Sequence, residues 1–341
     1  MKNCISVFYL SVGLSTNALA TVPIYYAPGH PHPAGGTAAG SIHQKNIDKN
    51  EGLCTSPFQP NGLLARPSCE NFFDDTASVQ GQMTTQAIFL GDAWSSPLFA
   101  LDKIEGIDTF LQGWDGSEYS EVLWEYWIGA SVLPDQQEQN HLGRVPVQLG
   151  YVGYHITPEH LTSTPPSTGG QPPIGLAEVC RGLATGEYAT PRSGTSSYFL
   201  IYPSIHPPTE SGLCAAHGNF TCTTGTSKGA SFDYAVIYNA DSYAACDVDD
   251  QQTGHSQGLA AIANVTARAI ADEVTDPHWE GWMSLSGDEV SDLCQWQFDA
   301  PYVWFPNGSQ WKLQDLWSDL AYLAGTGYAN TYGLPGCVVS R

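Results

Sequence analysis

Residues Gly258–Trp296 read GLAAIANVTARAIADEVTDPHWEGWMSLSGDEVSDLCQW, and this stretch decides the fold. In its first half, apolar or small residues recur at three- and four-residue steps, which predicts a helix. The residues in this pattern are Leu259, Ile262, Thr266, Ala269, Ile270 and Val274. The helix should end at Asp276-Pro277, because a residue before proline is biased out of the α conformation.

The loop after this helix is rich in ionisable side chains and lies between tryptophans, so it is the first place to look for chemistry. It contains Asp276, His278, Glu280, Asp288, Glu289 and Asp292. The carboxylates of this set, which are Asp276, Glu280, Asp288, Glu289 and Asp292, predict a calcium site, since hard cations need several oxygen ligands. Alternatively, Asp276 caps the turn and Asp292 bonds to loop amides.

The N-terminus has the pattern of a secretory signal. Lys2 precedes an apolar run from Ile5 to Leu14, and the small residues Ala18-Leu19-Ala20 follow. We therefore expect residues 1–20 to be removed and the protein to be secreted, with the periplasm or the cell surface as alternatives. The apolar run is too short to span a bilayer, and we expect no membrane span elsewhere in the chain.

The cysteines agree with export. One of the nine lies in the predicted signal, which leaves an even set. An even set in an exported chain predicts disulfide bonds, although sequence does not select the pairing. The set is Cys54, Cys69, Cys180, Cys214, Cys222, Cys246, Cys294 and Cys337. We expect Cys54–Cys69 to close a local loop and Cys294–Cys337 to tie the C-terminal tail to the deciding stretch.

Charge and aromatic content restrict the partners. The formal net charge of −22 argues against nucleic acid, because phosphate binding needs clustered Lys and Arg. The acidic excess either keeps the protein soluble or loads divalent cations. The ten Trp and seventeen Tyr are unusual for so acidic a chain; we expect most of them in the core, and some are candidates for stacking on sugars or other ligands.

The remaining segments predict an α/β fold, with α+β as the alternative. Residues 21–85 are expected to be an irregular N-terminal arm, and 86–341 a single domain that ends in a Trp-rich tail. The predicted strands are 86–91, 145–154, 197–202 and 232–238. The predicted helices are 102–112, 119–127 and 174–183, besides the helix of the deciding stretch.

Several motifs resemble a known family. They are IFLGDAW, SYFLIYP, LCAAHG, FDYAVIY, NVTARAIADEVTDP followed by GDEVSDLC, and QWKLQDLWSD, within residues 86–320. This set resembles the phosphate-induced (EXORDIUM-like) secreted proteins and their bacterial and fungal zincin-like relatives. The resemblance implies a disulfide-stapled, zincin-like core, in which a mixed sheet packs on the helix that carries the motif.

Relatives carry a His-Glu pair in this helix, where the histidine binds zinc and the glutamate acts as a base. Aligned on 274–277, this chain has Arg268 in place of the histidine and Ala269 in place of the glutamate. Asp272 stands at a later family glutamate. Arginine does not ligate zinc and alanine moves no proton, so we expect no zinc here and a degenerate site. Arg268 and Asp272 are spaced to form an ion pair instead.

These features favour a secreted, non-catalytic protein with a binding or structural role at a cell surface, in a cell wall or in an assembly. The expected partner is extracellular, either a polysaccharide or a second copy of the chain. Two alternatives stay open. One is a metal-dependent hydrolase or peptidase with displaced ligands from His217, His255 and His278, and the other is a carbohydrate-binding protein.

Overall fold

The computed structural model describes residues 83–126, 148–158, 174–190, 195–206, 213–276, 282–283 and 288–340, together with the backbone of strands at 24–26 and 64–65. Its α-helices are α1 (Pro97–Ala100), α2 (Lys103–Trp114), α3 (Glu118–Glu121), α4 (Leu176–Thr185), α5 (Gln257–Thr275) and α6 (Asp319–Ala324). Short 3-10 helices span Asp92–Ser95, Val122–Glu125, Ala244–Cys246 and Asp292–Cys294.

The strands fall into one large sheet and three small ones. The large sheet comprises β1 (Ile24–Tyr26), β3 (Met83–Leu90), β4 (Tyr154–Thr157), β5 (Ser196–Pro203), β6 (Leu213–Thr221) and β7 (Ser231–Ile237). The small sheets pair β2 (Leu64–Ala65) with β8 (Trp282–Met283), β9 (Val303–Trp304) with β10 (Gln310–Trp311), and β11 (Leu316–Trp317) and β12 (Tyr328–Ala329) with β13 (Pro335–Val338).

The large sheet is mixed, with the strand order β4-β3-β5-β7-β6-β1. Strands β4, β3, β5 and β7 are parallel to one another, whereas β6 runs antiparallel to β7 and to β1. Parallel strands are usually covered on both faces, and β3, β5 and β7 are buried along almost their whole length, whereas β4 is partly exposed. Strand β1 lies inside the segment that we predicted to be an irregular arm.

Side chains of the central strands alternate between two apolar layers, as the pleat requires. Ala87 and Leu200 face the layer that contains α2 and α5, whereas Ile88 and Ile201 face the layer that contains α4. The sheet is thus covered by helices on both sides, in an arrangement of the α/β class. The described residues confirm the predicted mixture of helices with a mixed, disulfide-linked sheet.

Helix α5 is buried on all sides. Its N-terminus is capped by Ser256, whose side chain accepts a hydrogen bond from the Leu259 amide, and Asp102 in turn accepts from Ser256. Every residue from Gly258 to Thr275 is buried. Many alanines let the sheet and the C-terminal segment approach it closely, and polar residues in this helix are therefore held inside the protein.

Three disulfides are present among the described residues. Cys180–Cys222 links α4 to the end of β6, and Cys214–Cys246 links β6 to a 3-10 helix. Cys294–Cys337 links the loop after α5 to β13, which confirms the predicted connection of the tail. Bonds of this kind are typical of oxidising compartments. The predicted Cys54–Cys69 pair lies outside the described residues.

Most predicted elements are confirmed, and one predicted strand is wrong. Strand 145–154 begins only at Tyr154 within the described part, because Gly150 and Gly153 have φ angles of +51° and +106°, which interrupt an extended backbone. The predicted helix 119–127 consists of α3 followed by a 3-10 turn. Strand β6 was not predicted. Among the described residues, no helix has the length and apolar character needed to cross a membrane.

Candidate functional site

The second half of α5 carries Arg268, Asp272 and Glu273, which are all buried. Arg268 and Asp272 are four positions apart, so they lie on one face of the helix, whereas Glu273 points further round. Charged side chains are rarely fully buried unless they are paired, so each of them should have partners inside the protein. Two segments supply these partners: the loop 288–292 and strand β6.

Arg268 is held by the loop after the helix. Its Nη2 donates to Oδ1 of Asp292 at 3.0 Å, and its Nε donates to Oγ of Ser291 at 3.4 Å. The guanidinium also lies 5.8 Å from the centre of the Trp296 ring. The resemblance implies a zinc-binding histidine at this position. The arginine does not fit that role, because its guanidinium offers donors and no lone pair to a metal.

Asp272 is fixed by the same loop. Its Oδ1 accepts a hydrogen bond from the Ser291 amide at 2.9 Å, and its Oδ2 accepts from the Ser291 hydroxyl at 2.6 Å. The sequence predicted an ion pair between Arg268 and Asp272, which stays a prediction. In the structure Arg268 forms a salt bridge with Asp292, and Ser291 bonds to both Arg268 and Asp272. The loop 288–292 therefore locks both helix side chains.

Strand β6 contributes His217, which is 2% exposed and lies between two glutamates. Its Nε2 is 3.3 Å from Oε2 of Glu289, and its Nδ1 is 3.7 Å from Oε2 of Glu273. The antiparallel register places His217 opposite Ala235 of β7. A side chain at this position of β6 points towards the α5 layer, and for this reason it reaches the helix.

Burial sets the protonation of the two glutamates. It raises the pKa of the Glu273 carboxyl to about 8, while the hydrogen bond to His217 opposes this rise. Burial also raises the pKa of Glu289 well above its usual value, and the negative charge of Asp272 adds to that effect. Buried carboxyls resist ionisation unless a cation compensates them.

Three of these side chains form a set of metal-binding type. One ligand atom each from His217, Asp272 and Glu289 lie within 4.8 Å of one another, and all three residues are buried. Asp272 and Glu289 were candidates in the sequence as a degenerate position and a calcium ligand, and His217 was an alternative ligand. Glu273 and Ser291 were missed. Periodicity predicts a single apolar face for this helix, so the sequence carried no clear signal for the burial of Glu273.

The other predicted ligands lie elsewhere or outside the described residues. His255 stacks on Trp311 with 4.3 Å between ring centres and contacts Oγ1 of Thr253; it is not part of the three-residue set. Of the predicted calcium ligands, Asp276 is buried at the end of α5 and Asp288 is half-buried next to Glu289. Glu280 and His278 lie outside the described residues, so the calcium site stays a prediction.

No family model, curated protein or solved structure matches this chain. The resemblance to EXORDIUM-like proteins therefore stays a prediction from the motifs, and the candidate site rests on its own geometry.

Proposed function

We propose that this is a secreted, zincin-like protein without peptidase activity, whose role is extracellular binding or structure. The observation that carries the proposal is the fully buried Arg268 side chain, which occupies the helix position where the resemblance implies a metal-binding histidine. Its salt bridge to Asp292 and its bond to Ser291 make the arginine an integral part of the core.

The neighbouring position supports the same conclusion. Ala269 stands where the resemblance implies the catalytic glutamate, and its carbonyl accepts a hydrogen bond from the Tyr198 hydroxyl at 3.1 Å. A missing general base alone commonly costs about 10²–10⁴ in rate. The mixed sheet packed on α5 agrees with the zincin-like core that the resemblance implies, whereas the side chains of the catalytic pair are replaced.

The test is hydrolysis of a denatured protein substrate and of a mixed peptide library, with added zinc and with a chelator. We expect no chelator-sensitive cleavage by the purified protein. The double variant Arg268→His, Ala269→Glu is the matched comparison, because it introduces the pair that the resemblance implies. The proposal would be overturned if the unmodified protein cleaved a substrate and if both a chelator and the substitution His217→Asn abolished this cleavage.

Carbohydrate binding is the second candidate, because large aromatic side chains are exposed on the C-terminal segment. Trp304, Tyr328 and Tyr332 are 57%, 56% and 69% exposed, and Tyr302 packs edge-on against Trp304 at 5.9 Å. Exposed aromatic faces of this kind stack on sugar rings. We expect retention on insoluble polysaccharide to decrease in Trp304→Ala and to persist in the control Leu98→Ala, whose side chain is also exposed. Equal retention of both variants would reject Trp304 as a binding platform.

A further inference from the structure

His217, Asp272 and Glu289 place their ligand atoms close enough together to share one ion after small adjustments of their side chains. Nε2 of His217 and Oε2 of Glu289 are 3.3 Å apart. Two ligand atoms that each lie about 2.0–2.1 Å from a tetrahedral zinc ion are separated by about 3.4 Å. The distance thus fits a shared ion as well as it fits a hydrogen bond, and the Asp272 carboxylate completes a group within 4.8 Å.

The surrounding residues orient this set as the outer partners of metal ligands do. Glu273 faces Nδ1 of His217 at 3.7 Å, which leaves Nε2 directed towards Glu289. Ser291 holds both oxygens of Asp272 through its amide and its hydroxyl. Metal-binding histidines usually donate their other nitrogen to a carboxylate, and ligand carboxylates are themselves hydrogen-bonded.

The second observation is that two buried carboxylate oxygens lack a hydrogen bond. Among the described residues, Oε1 of Glu273 and Oε1 of Glu289 have no hydrogen-bond partner, and both side chains are at least nine-tenths buried. Burying such atoms without compensation is costly. Arg268 forms a salt bridge with Asp292 and its positive charge also acts on Glu289, and a divalent cation bound by Glu289 would add to this compensation.

We propose that His217, Asp272 and Glu289 bind one divalent ion of the zinc class inside the protein. One imidazole nitrogen with two carboxylates is a donor set that suits zinc, whereas calcium and magnesium take oxygen ligands alone. The ion would be structural: the three ligands are buried, and Ala269 leaves the helix without the expected base. The inference goes beyond the proposed function, because a protein with this ion still lacks peptidase activity.

The experiment uses the full secreted chain, stripped of metal with a chelator and dialysed. We expect one zinc ion per chain by mass spectrometry after zinc is restored, and a higher midpoint of thermal unfolding in zinc than in chelator. Zinc should raise the midpoint both with and without calcium at the same concentration. Absence of bound zinc, or a shift with calcium and none with zinc, overturns the proposal.

Two variants locate the ion. His217→Asn should lose the zinc-dependent shift, whereas the control His255→Asn, which removes the histidine stacked on Trp311, should keep it. A shift retained in His217→Asn, or lost in His255→Asn, assigns the ion to other ligands and overturns the proposal.

Cobalt substitution in the unmodified chain keeps the test decisive if His217→Asn does not fold. Tetrahedral cobalt with one nitrogen, two carboxylates and a water as its four ligands should give visible absorption that added zinc removes. A cobalt-loaded protein with no such absorption counts against the assigned geometry.

Discussion

Two cationic side chains, Lys103 and Arg268, are completely buried, and their surroundings differ. Lys103, in α2, forms a salt bridge with Asp241 and lies 4.4 Å from the centre of the Phe99 ring. Arg268, in α5, forms a salt bridge with Asp292 close to Asp272 and Glu289. The lysine is thus paired with a single carboxylate beside aromatic rings, whereas the arginine is one member of a cluster with several carboxylates.

The difference shows what each cation does for the fold. The Asp241 side chain is 29% exposed, so water can solvate it when the lysine is absent. The Asp292 side chain is only 13% exposed, and the carboxylates beside it are buried. A buried charge that loses its partner costs several kcal/mol, whereas an exposed one costs little. Arg268 should therefore contribute much more to stability than Lys103 does.

The largest effect is expected for Arg268→Met, which removes the charge and keeps an apolar chain in its place. We expect the free energy of unfolding to fall by about 3–5 kcal/mol, because Asp292 loses its buried partner. Urea unfolding at neutral pH measures this. The control Lys228→Met removes an exposed cation, and should cost about 0–1 kcal/mol.

A double variant tests the cause of that loss. Arg268→Met combined with Asp292→Asn removes both charges of the pair and should recover part of the stability. If the single variant loses less than about 1 kcal/mol, or the double variant recovers nothing, the carboxylate does not depend on Arg268.

Helix α5 could be predicted from the sequence, because the spacing of its apolar residues and its end at Asp276-Pro277 are local signals. The structure confirms it as Gln257–Thr275. The meeting of His217 with Glu273 and Glu289 could not be predicted in this way. It depends on the hairpin of β6 and β7 packing against α5 and the loop after it, which is a contact between segments far apart in the sequence that no local pattern encodes. The sequence assigned the LCAAHG segment to a connection, so its histidine had no defined position.

The burial of Glu273 was hidden for a related reason. Periodicity predicts one apolar face, but α5 is covered on all sides by the sheet and by the C-terminal segment. Gln314 is an example of the contact between α5 and the C-terminal segment. Its backbone amide donates to Oδ1 of Asn264 at 2.8 Å, and its side-chain Nε2 donates to the Ser291 carbonyl at 2.7 Å. A helix enclosed in this way buries its polar residues together with its apolar ones.

The second prediction concerns Glu125, a buried carboxyl whose described hydrogen bonds come from neutral groups. Its oxygens accept from the Ser318 hydroxyl at 3.0 Å and from the Asp319 amide at 2.6 Å, at the start of α6. Burial, with the charge of Asp319 second, raises the pKa of Glu125 from 4.5 to about 7. The folded protein therefore holds this proton more tightly than the unfolded chain does.

It follows that the contribution of Glu125 to stability is complete below pH 4.5 and is lost as the pH rises to about 7. The loss is about 3 kcal/mol, since each pKa unit corresponds to about 1.4 kcal/mol. Urea unfolding at pH 5 and pH 8 should show a smaller difference in Glu125→Gln than in the unmodified protein. The control Glu118→Gln, at an exposed position, should not change it. If the stability of Glu125→Gln changes between pH 5 and pH 8 as much as that of the unmodified protein, a group other than Glu125 causes the pH dependence.

The smallest effect is expected for Lys103→Met, which completes the comparison of the two cations. The methionine keeps the unbranched chain beside Phe99 and Trp94, where its sulfur can contact the rings, and it leaves Asp241 partly in water. We expect the free energy of unfolding to fall by about 1–2 kcal/mol, between the values for exposed and buried pairs.

Urea unfolding of Lys103→Met and Arg268→Met in parallel measures this difference. Asp241→Asn is the matched control, because it leaves the buried lysine charge without its carboxylate partner. That control should cost more than Lys103→Met, since the lysine has no exposed surface to rehydrate. If Lys103→Met lowers the free energy of unfolding as much as Arg268→Met does, hydration of the exposed part of Asp241 does not reduce the cost. The proposed difference between an isolated pair and a carboxylate cluster would then be wrong.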